Sequence, residues 1–111
     1  MKAIITDLDR TLLHSDKSVS AYTTAVLQEC RRRGILLMTA SARPLRYILP
    51  YNDRIGFDAI TAINGAVVSY DGKRLEFGIP CESGEKILSE ILRHPDVFLS
   101  IETSKGLYAN R

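Results

Sequence analysis

Asp7 and Asp9, two residues apart in Thr6-Asp7-Leu8-Asp9-Arg10-Thr11, are the side chains of this sequence best placed to do chemistry. On extended backbone, side chains at i and i+2 leave one face, so both carboxylates are expected on the same side of a strand end. Like charges that close repel and raise each other's pKa unless a cation lies between them. A hard divalent ion with oxygen ligands relieves that repulsion, and Mg²⁺ is the usual one where phosphate is also bound. Thr11 is placed to steady the loop by a local hydroxyl bond. The pair points to metal-assisted phosphate chemistry. Turn-forming or helix-capping aspartates are the alternative that residue type alone allows.

Two further stretches place polar groups just after apolar runs. In Met38-Thr39-Ala40-Ser41-Ala42-Arg43-Pro44 a hydroxyl precedes a helix start, where backbone N–H groups favour anions. Ser41 is the phosphate-binding candidate, with helix capping as its competing role; Thr39 is a second hydroxyl for the same task. The planar fork of Arg43 suits a phosphate or a carboxylate, and equally a surface ion pair. Asn64-Gly65, after a third apolar run, reads as a hairpin turn by composition. His14 and His94 have no partners at metal-ligand spacing.

The elements that would position these groups follow from periodicity and punctuation. Ala3-Ile4-Ile5 is a short β-branched run, read as a buried strand. Ser18 or Ser20 can cap a helix to about Arg33, with Tyr22, Val26 and Cys30 at helical spacing and Gly34 ending it. Ile35 to Met38 reads as a second strand, Leu45 to Tyr51 as a helix opened by Pro44, and Ala59 to Ile63 as a third strand. This order implies a parallel sheet with right-handed crossovers. Ala66 to Tyr70 and Lys73 to Phe77 flank Asp71-Gly72, a hairpin signal. Ser83 can cap a helix bearing Ile87, Leu88, Ile91 and Leu92, stopped by His94-Pro95, and Val97 to Ile101 reads as one more strand.

The fold class expected is α/β: a Rossmann-like three-layer core with a parallel sheet over residues 1–80, then residues 81–111 as a separate beginning. With 111 residues, 45% hydrophobic and 25% charged, the chain has ordinary globular composition. A formal charge of +2 is too small to suggest nucleic acid, and Arg31-Arg32-Arg33 sits where a helix end favours cations. Cys30 and Cys81 are read as free thiols. No charged-then-apolar leader and no run of membrane-spanning length is seen, so a cytoplasmic chain without a membrane partner is expected. The unpaired edge of a short sheet invites homo-oligomerisation.

A strand leading into Asp7-x-Asp9-x-Thr11, then Ala40-Ser41-Ala42-Arg43-Pro44, then Ile63-Asn64-Gly65-Ala66, resembles the Cof-like branch of the haloacid dehalogenase-like superfamily. The resemblance implies a Mg²⁺-dependent phosphatase acting on a small phosphorylated metabolite. Asp7 would be the nucleophile that forms an aspartyl-phosphate, and Asp9 the acid/base. The Asp7 carboxylate and the Asp9 carbonyl would bind Mg²⁺, Ser41 would bond the phosphoryl group, and Asn64 would lie at the substrate pocket. The segment from about Cys81 looks like the start of the branch's α/β cap.

The family's third-motif Lys and its acidic fourth motif follow the cap and have no match here; Lys73, Lys86 and Lys105 cannot be given that role. A non-catalytic module that binds Mg²⁺ or a phosphorylated ligand, or that merely assembles, therefore stands beside the enzyme reading. A response-regulator-like receiver also has paired acids after its first strand, but its phosphorylated Asp would fall where this chain has Asn64. Arg10 takes a position often held by Gly or Asp. Ala42 replaces the usual Gly, which is tolerable if no positive φ is required there.

Overall fold

The N-terminal apolar run forms β1 (Ala3–Thr6), and the two later runs form β2 (Leu36–Ala40) and β3 (Ala59–Ala62). The computed structural model describes residues 1–110. β1 pairs with β2 and β2 with β3, both parallel, through helices α1 (Ala21–Arg32) and α2 (Leu45–Ile55). Both crossovers run in the same direction along the sheet, so right-handedness places both helices on one face. Accordingly α1 packs on β2, α2 on β3, and the helices touch each other.

Register explains the core. Ile4 lies beside Leu37, Thr6 beside Thr39, and Thr39 beside Ile60. This row faces the helices, and Leu37, Thr39, Ile60 and Ala62 are buried with Leu8, Ile48 and Ile55. The alternate row runs from Ile5 to Met38 to Ala59 on the opposite face, and there Ile5 is 67% exposed. The strands are therefore buried on one face rather than on both. Of a three-layer Rossmann-like arrangement, residues 1–77 supply the sheet and one helical layer.

Ser20, not Ser18, caps α1: its Oγ accepts from Thr23 N at 3.0 Å. The buried residue of α1 is Leu27; of the expected apolar stripe Cys30 packs against the core, while Tyr22 and Val26 face outward. α2 runs past Tyr51 and across Pro50 to Ile55 because Ile48 and Ile55 anchor it in the core. Gly56 ends it at φ 77°, a left-handed position that favours glycine. The sheet continues antiparallel through β4 (Val67–Tyr70) and β5 (Lys73–Glu76). Asp71 and Gly72, at φ 49° and 67°, make the two-residue turn between them.

A second compact unit begins at Gly78. Its helix α3 (Cys81–Ile91) follows Pro80, and Gly84 N donates to the Pro80 carbonyl at 2.9 Å. Pro80 fixes the entry, so Ser83 lies within the first turns and does not cap the helix. Val97 to Leu99 is a loop rather than a strand. Asn110 holds it, donating from Nδ2 to Val97 O at 3.0 Å and accepting Leu99 N on Oδ1 at 3.1 Å. The strands are β6 (Ser100–Thr103) and β7 (Gly106–Ala109), an unforeseen hairpin. Its turn is tied by Thr103 Oγ1, which accepts Lys105 N and Gly106 N. Among the described residues no helix is long and apolar enough to cross a membrane.

Candidate active site

The carboxyl ends of β1, β2 and β3 carry the polar groups singled out by the sequence. Leu8, fully buried between the two aspartates, anchors the loop after β1, and Leu13 N donates back to Leu8 O at 2.8 Å. A buried Leu8 leaves its neighbours on the opposite side: Asp7 is exposed and Asp9 partly so. Thr11 Oγ1 donates to Asp7 Oδ2 at 3.3 Å, the steadying bond expected of it. Arg10 adopts φ 59°, which explains why a residue with no Cβ suits this position. Ala42 is not among the residues with positive φ, so its side chain is accommodated.

Asp9 meets two cations from its own chain. Arg43 forks its carboxylate, with Nε to Oδ2 and Nη2 to Oδ1 both at 2.7 Å, and Lys17 Nζ reaches Oδ1 at 2.7 Å. Hydrogen bonds first from Arg43 and then from Lys17 hold the Asp9 carboxyl well below the usual carboxylate range, against the opposing effect of desolvation. The Arg43 guanidinium is in turn held in its charged form by Asp9. The mutual repulsion expected of the acid pair is thus met, on the Asp9 side, by organic cations.

Tyr51 closes this network from α2. Its hydroxyl donates to Lys17 O at 2.9 Å and accepts from Arg43 Nη1 at 3.5 Å, and the guanidinium lies 5.7 Å from the ring centre. Neither Lys17 nor Tyr51 was singled out from the sequence. Lys17 lies eight residues beyond Asp9 in a loop without periodicity, and the only local signal is the Asp16-Lys17-Ser18 turn composition. Tyr51 reads as one more helix residue until the loops fold over it.

Ser41 is buried after β2. Its N–H donates to Thr61 O at 2.9 Å, which ties the loop to β3, and its Oγ accepts Arg43 N at 3.1 Å. α2 is preceded by Pro44, which makes no side-chain cap bond, so capping is not the role of Ser41. Thr39 is not a site residue: it is 1% exposed, and its hydroxyl donates to Thr6 O at 2.9 Å, fastening β1 to β2.

Asn64 and Gly65 turn the chain between antiparallel β3 and β4, Asn64 at φ 52° and Gly65 at φ 101°. The same turn is fastened to the Ser41 loop, since Asn64 N donates to Ser41 O at 3.2 Å and Ile63 N to Arg43 O at 3.0 Å. The turn and site-proximal readings are therefore compatible.

Three loops at the carboxyl ends of adjacent parallel strands, with one acid pair, one buried hydroxyl and a guanidinium, define a site suited to oxyanions. A family model for haloacid dehalogenase-like hydrolases matches residues 4–111, and the chain belongs to that family. It is 25% identical over 112 residues to the "Putative phosphatase YkrA" of Bacillus subtilis, covering 98% of this chain and 44% of that protein. It is 24% identical over 124 residues to the "Putative phosphatase M6_Spy0533" of Streptococcus pyogenes, covering 100% of this chain and 44% of that protein. Among solved structures, the superfamily phosphatase BT1666 of Bacteroides thetaiotaomicron superposes with a TM-score of 0.84 at 27% identity, over 100% of this chain and 42% of that one. The chain thus spans less than half the length of these relatives.

Haloacid dehalogenase-like phosphotransferases use Mg²⁺, and the donor set here can be tested against it. Among the described residues no three His, Cys, Asp or Glu side chains gather around a common point. The Asp9 side chain is engaged by Arg43 and Lys17. The exposed Asp7 carboxylate is a donor of the kind Mg²⁺ takes, since that ion keeps several waters and is commonly held by one or two carboxylates plus substrate phosphate.

Proposed function

We propose that this chain carries the nucleophile-bearing part of a Mg²⁺-dependent, Cof-like phosphatase that hydrolyses a small phosphorylated metabolite. One observation carries the reading: Asp7 stands exposed at the end of β1, oriented by Thr11, beside an Asp9 that the chain's own cations hold in place. Membership in the family and the phosphatase names of its relatives support it.

In this reading a carboxylate oxygen of Asp7 attacks phosphorus and the P–O bond to the leaving group breaks. Asp9, which takes up a proton from water once Arg43 has turned to the phosphate, delivers that proton to the departing oxygen. Water then attacks the aspartyl-phosphate, Asp9 takes its proton, and the P–O bond to Asp7 breaks to release inorganic phosphate. Ser41 donates its hydroxyl to a phosphoryl oxygen, and Arg43 turns from Asp9 toward the phosphate, freeing the acid. Asn64 and Gly65 border the substrate, and the unit from Gly78 begins a cap. Asp7 and the Asp9 carbonyl would hold Mg²⁺, which supplies charge neutralisation for the transferring group.

The test is phosphate release from a generic phosphate monoester with Mg²⁺. Turnover that is lost in Asp7→Asn and on chelation supports the mechanism; turnover surviving either change contradicts it. A second reading, a non-catalytic module that binds Mg²⁺ or a phosphorylated ligand, is favoured by the engagement of the Asp9 carboxylate, the acid/base candidate, by Arg43 and Lys17. It predicts a thermal midpoint raised by Mg²⁺ without turnover.

A further inference from the structure

Lys17 is the second cation on Asp9. Arg43 bonds both carboxylate oxygens at 2.7 Å, and Lys17 Nζ adds a third bond at 2.7 Å. The Lys17 side chain is 53% exposed, and an ion pair this open to water contributes little to stability. Its backbone is nevertheless held firmly. Lys17 sits at φ 67°, left-handed for a residue with a Cβ, with its N–H donating to His14 O at 2.9 Å and its carbonyl accepting the Tyr51 hydroxyl at 2.9 Å. The flanking Ser18 bonds Asp16 Oδ1 through both N and Oγ, at 2.9 and 2.6 Å. A lysine held in a sparsely populated conformation by bonds from α2 and from its own loop is a feature that clusters at functional sites.

Charge gives this placement a use. Asp7 and Asp9 carry two negative charges, and Arg43 and Lys17 two positive ones, so these four groups balance. With a divalent cation the balance becomes doubly positive, the complement of a phosphomonoester dianion. Arg43 recognises oxyanions as a planar fork, whereas Lys17 is a compact charge on a flexible stem that can pass from one oxygen to another.

We infer that Lys17 is a phosphate-binding residue, resting on Asp9 in the ligand-free site and transferring its ammonium to a phosphoryl oxygen when phosphate binds. The inference rests on the phosphoryl-site reading above and adds to it a cation supplied by the loop between β1 and α1. Lys17, Arg43 and the Ser41 hydroxyl then enclose the phosphate from separate loops.

Calorimetric titration of the whole chain with inorganic phosphate, in Mg²⁺ and at fixed ionic strength, tests this without relying on turnover. Losing one charge-assisted hydrogen bond weakens binding about tenfold or more, so Lys17→Met is expected to do so while Lys17→Arg restores most of the affinity. Circular dichroism checks that the variants fold, as an exposed side chain predicts. The decisive comparison is in an Asp9→Asn background, where Lys17 has no carboxylate to neutralise. There Lys17→Met still weakens phosphate binding about tenfold if the ammonium touches phosphate. A loss that vanishes in that background, or affinity unchanged by Lys17→Met in the wild type, overturns the inference. Ser41→Ala separates the two levels of the argument. If it weakens phosphate binding while Lys17→Met does not, the phosphoryl site stands and the role of Lys17 falls. If the wild-type chain binds no phosphate, the site reading and this inference fall together.

Discussion

Asp9 accepts three bonds of 2.7 Å from two cations brought from separate loops. Arg43 and Lys17 hold its carboxyl below its ordinary value of 3.8. Because the folded-state pKa is the lower one, the unfolded chain takes up the proton first as pH falls. The stability Asp9 contributes is therefore complete above about 3.8 and is lost as pH falls below it. Thermal midpoints of the wild type and Asp9→Asn, followed from neutral into acid, should differ by a constant amount until that range and then converge. A gap that persists to the lowest pH contradicts the clamp. At this scale the sequence told much: the acids, the hydroxyl, the guanidinium and the Asn-Gly turn all lie in loops leaving the carboxyl ends of adjacent strands. Lys17 and Tyr51 escaped because Lys17 reaches Asp9, and Tyr51 reaches Lys17, only through the tertiary course of a loop, which no periodicity reports.

At the scale of elements, punctuation residues were informative where local geometry decided the outcome and misleading where a neighbour overrode it. Ser20 accepts Thr23 N and caps α1, whereas Ser83 lies inside α3 because Pro80 sets the entry. Ser20→Ala should lower the unfolding free energy by about 1 kcal/mol, and Ser83→Ala should leave it unchanged or slightly raised, alanine being the better helix former. Chemical denaturation of both variants checks this, and equal losses would contradict the assignment. Asp71-Gly72 was legible because both turn positions need left-handed backbone. The β6–β7 hairpin was not: Val97 to Leu99 looks like a strand, but the partner that fixes register is β7, and Asn110 ties the apolar segment off as a loop. The outward face of α1 was misread for a similar reason. Tyr22, Val26 and Cys30 have helical spacing, but only Cys30 packs against the core, and the helix meets β2 through the flank that buries Leu27.

For the whole molecule, the strand that leads to the nucleophile candidate is also an edge of the five-stranded sheet. β1 stands at the end of the strand order, and Ile5 lies on the face that no helix of residues 1–77 covers. An edge strand with an exposed apolar side chain is a template for pairing with another chain. Sedimentation over a range of concentrations should show self-association of the wild type, reduced in Ile5→Lys; a strict monomer at every concentration contradicts it. The α/β class and the parallel sheet were readable from alternating apolar runs and helix signals. The bare second face was not, because a run such as Ala3-Ile4-Ile5 fits a strand covered on both sides as well as on one.

The central claim, that phosphoryl transfer passes through Asp7, is tested most directly by intact-mass measurement after brief exposure of the chain to acetyl phosphate with Mg²⁺ and acid quench. One added phosphoryl group, mapped to Asp7, released by hydroxylamine and absent from Asp7→Asn, is the result expected. A wild-type chain that takes up no phosphoryl group, or a label that maps elsewhere or persists in Asp7→Asn, contradicts the account.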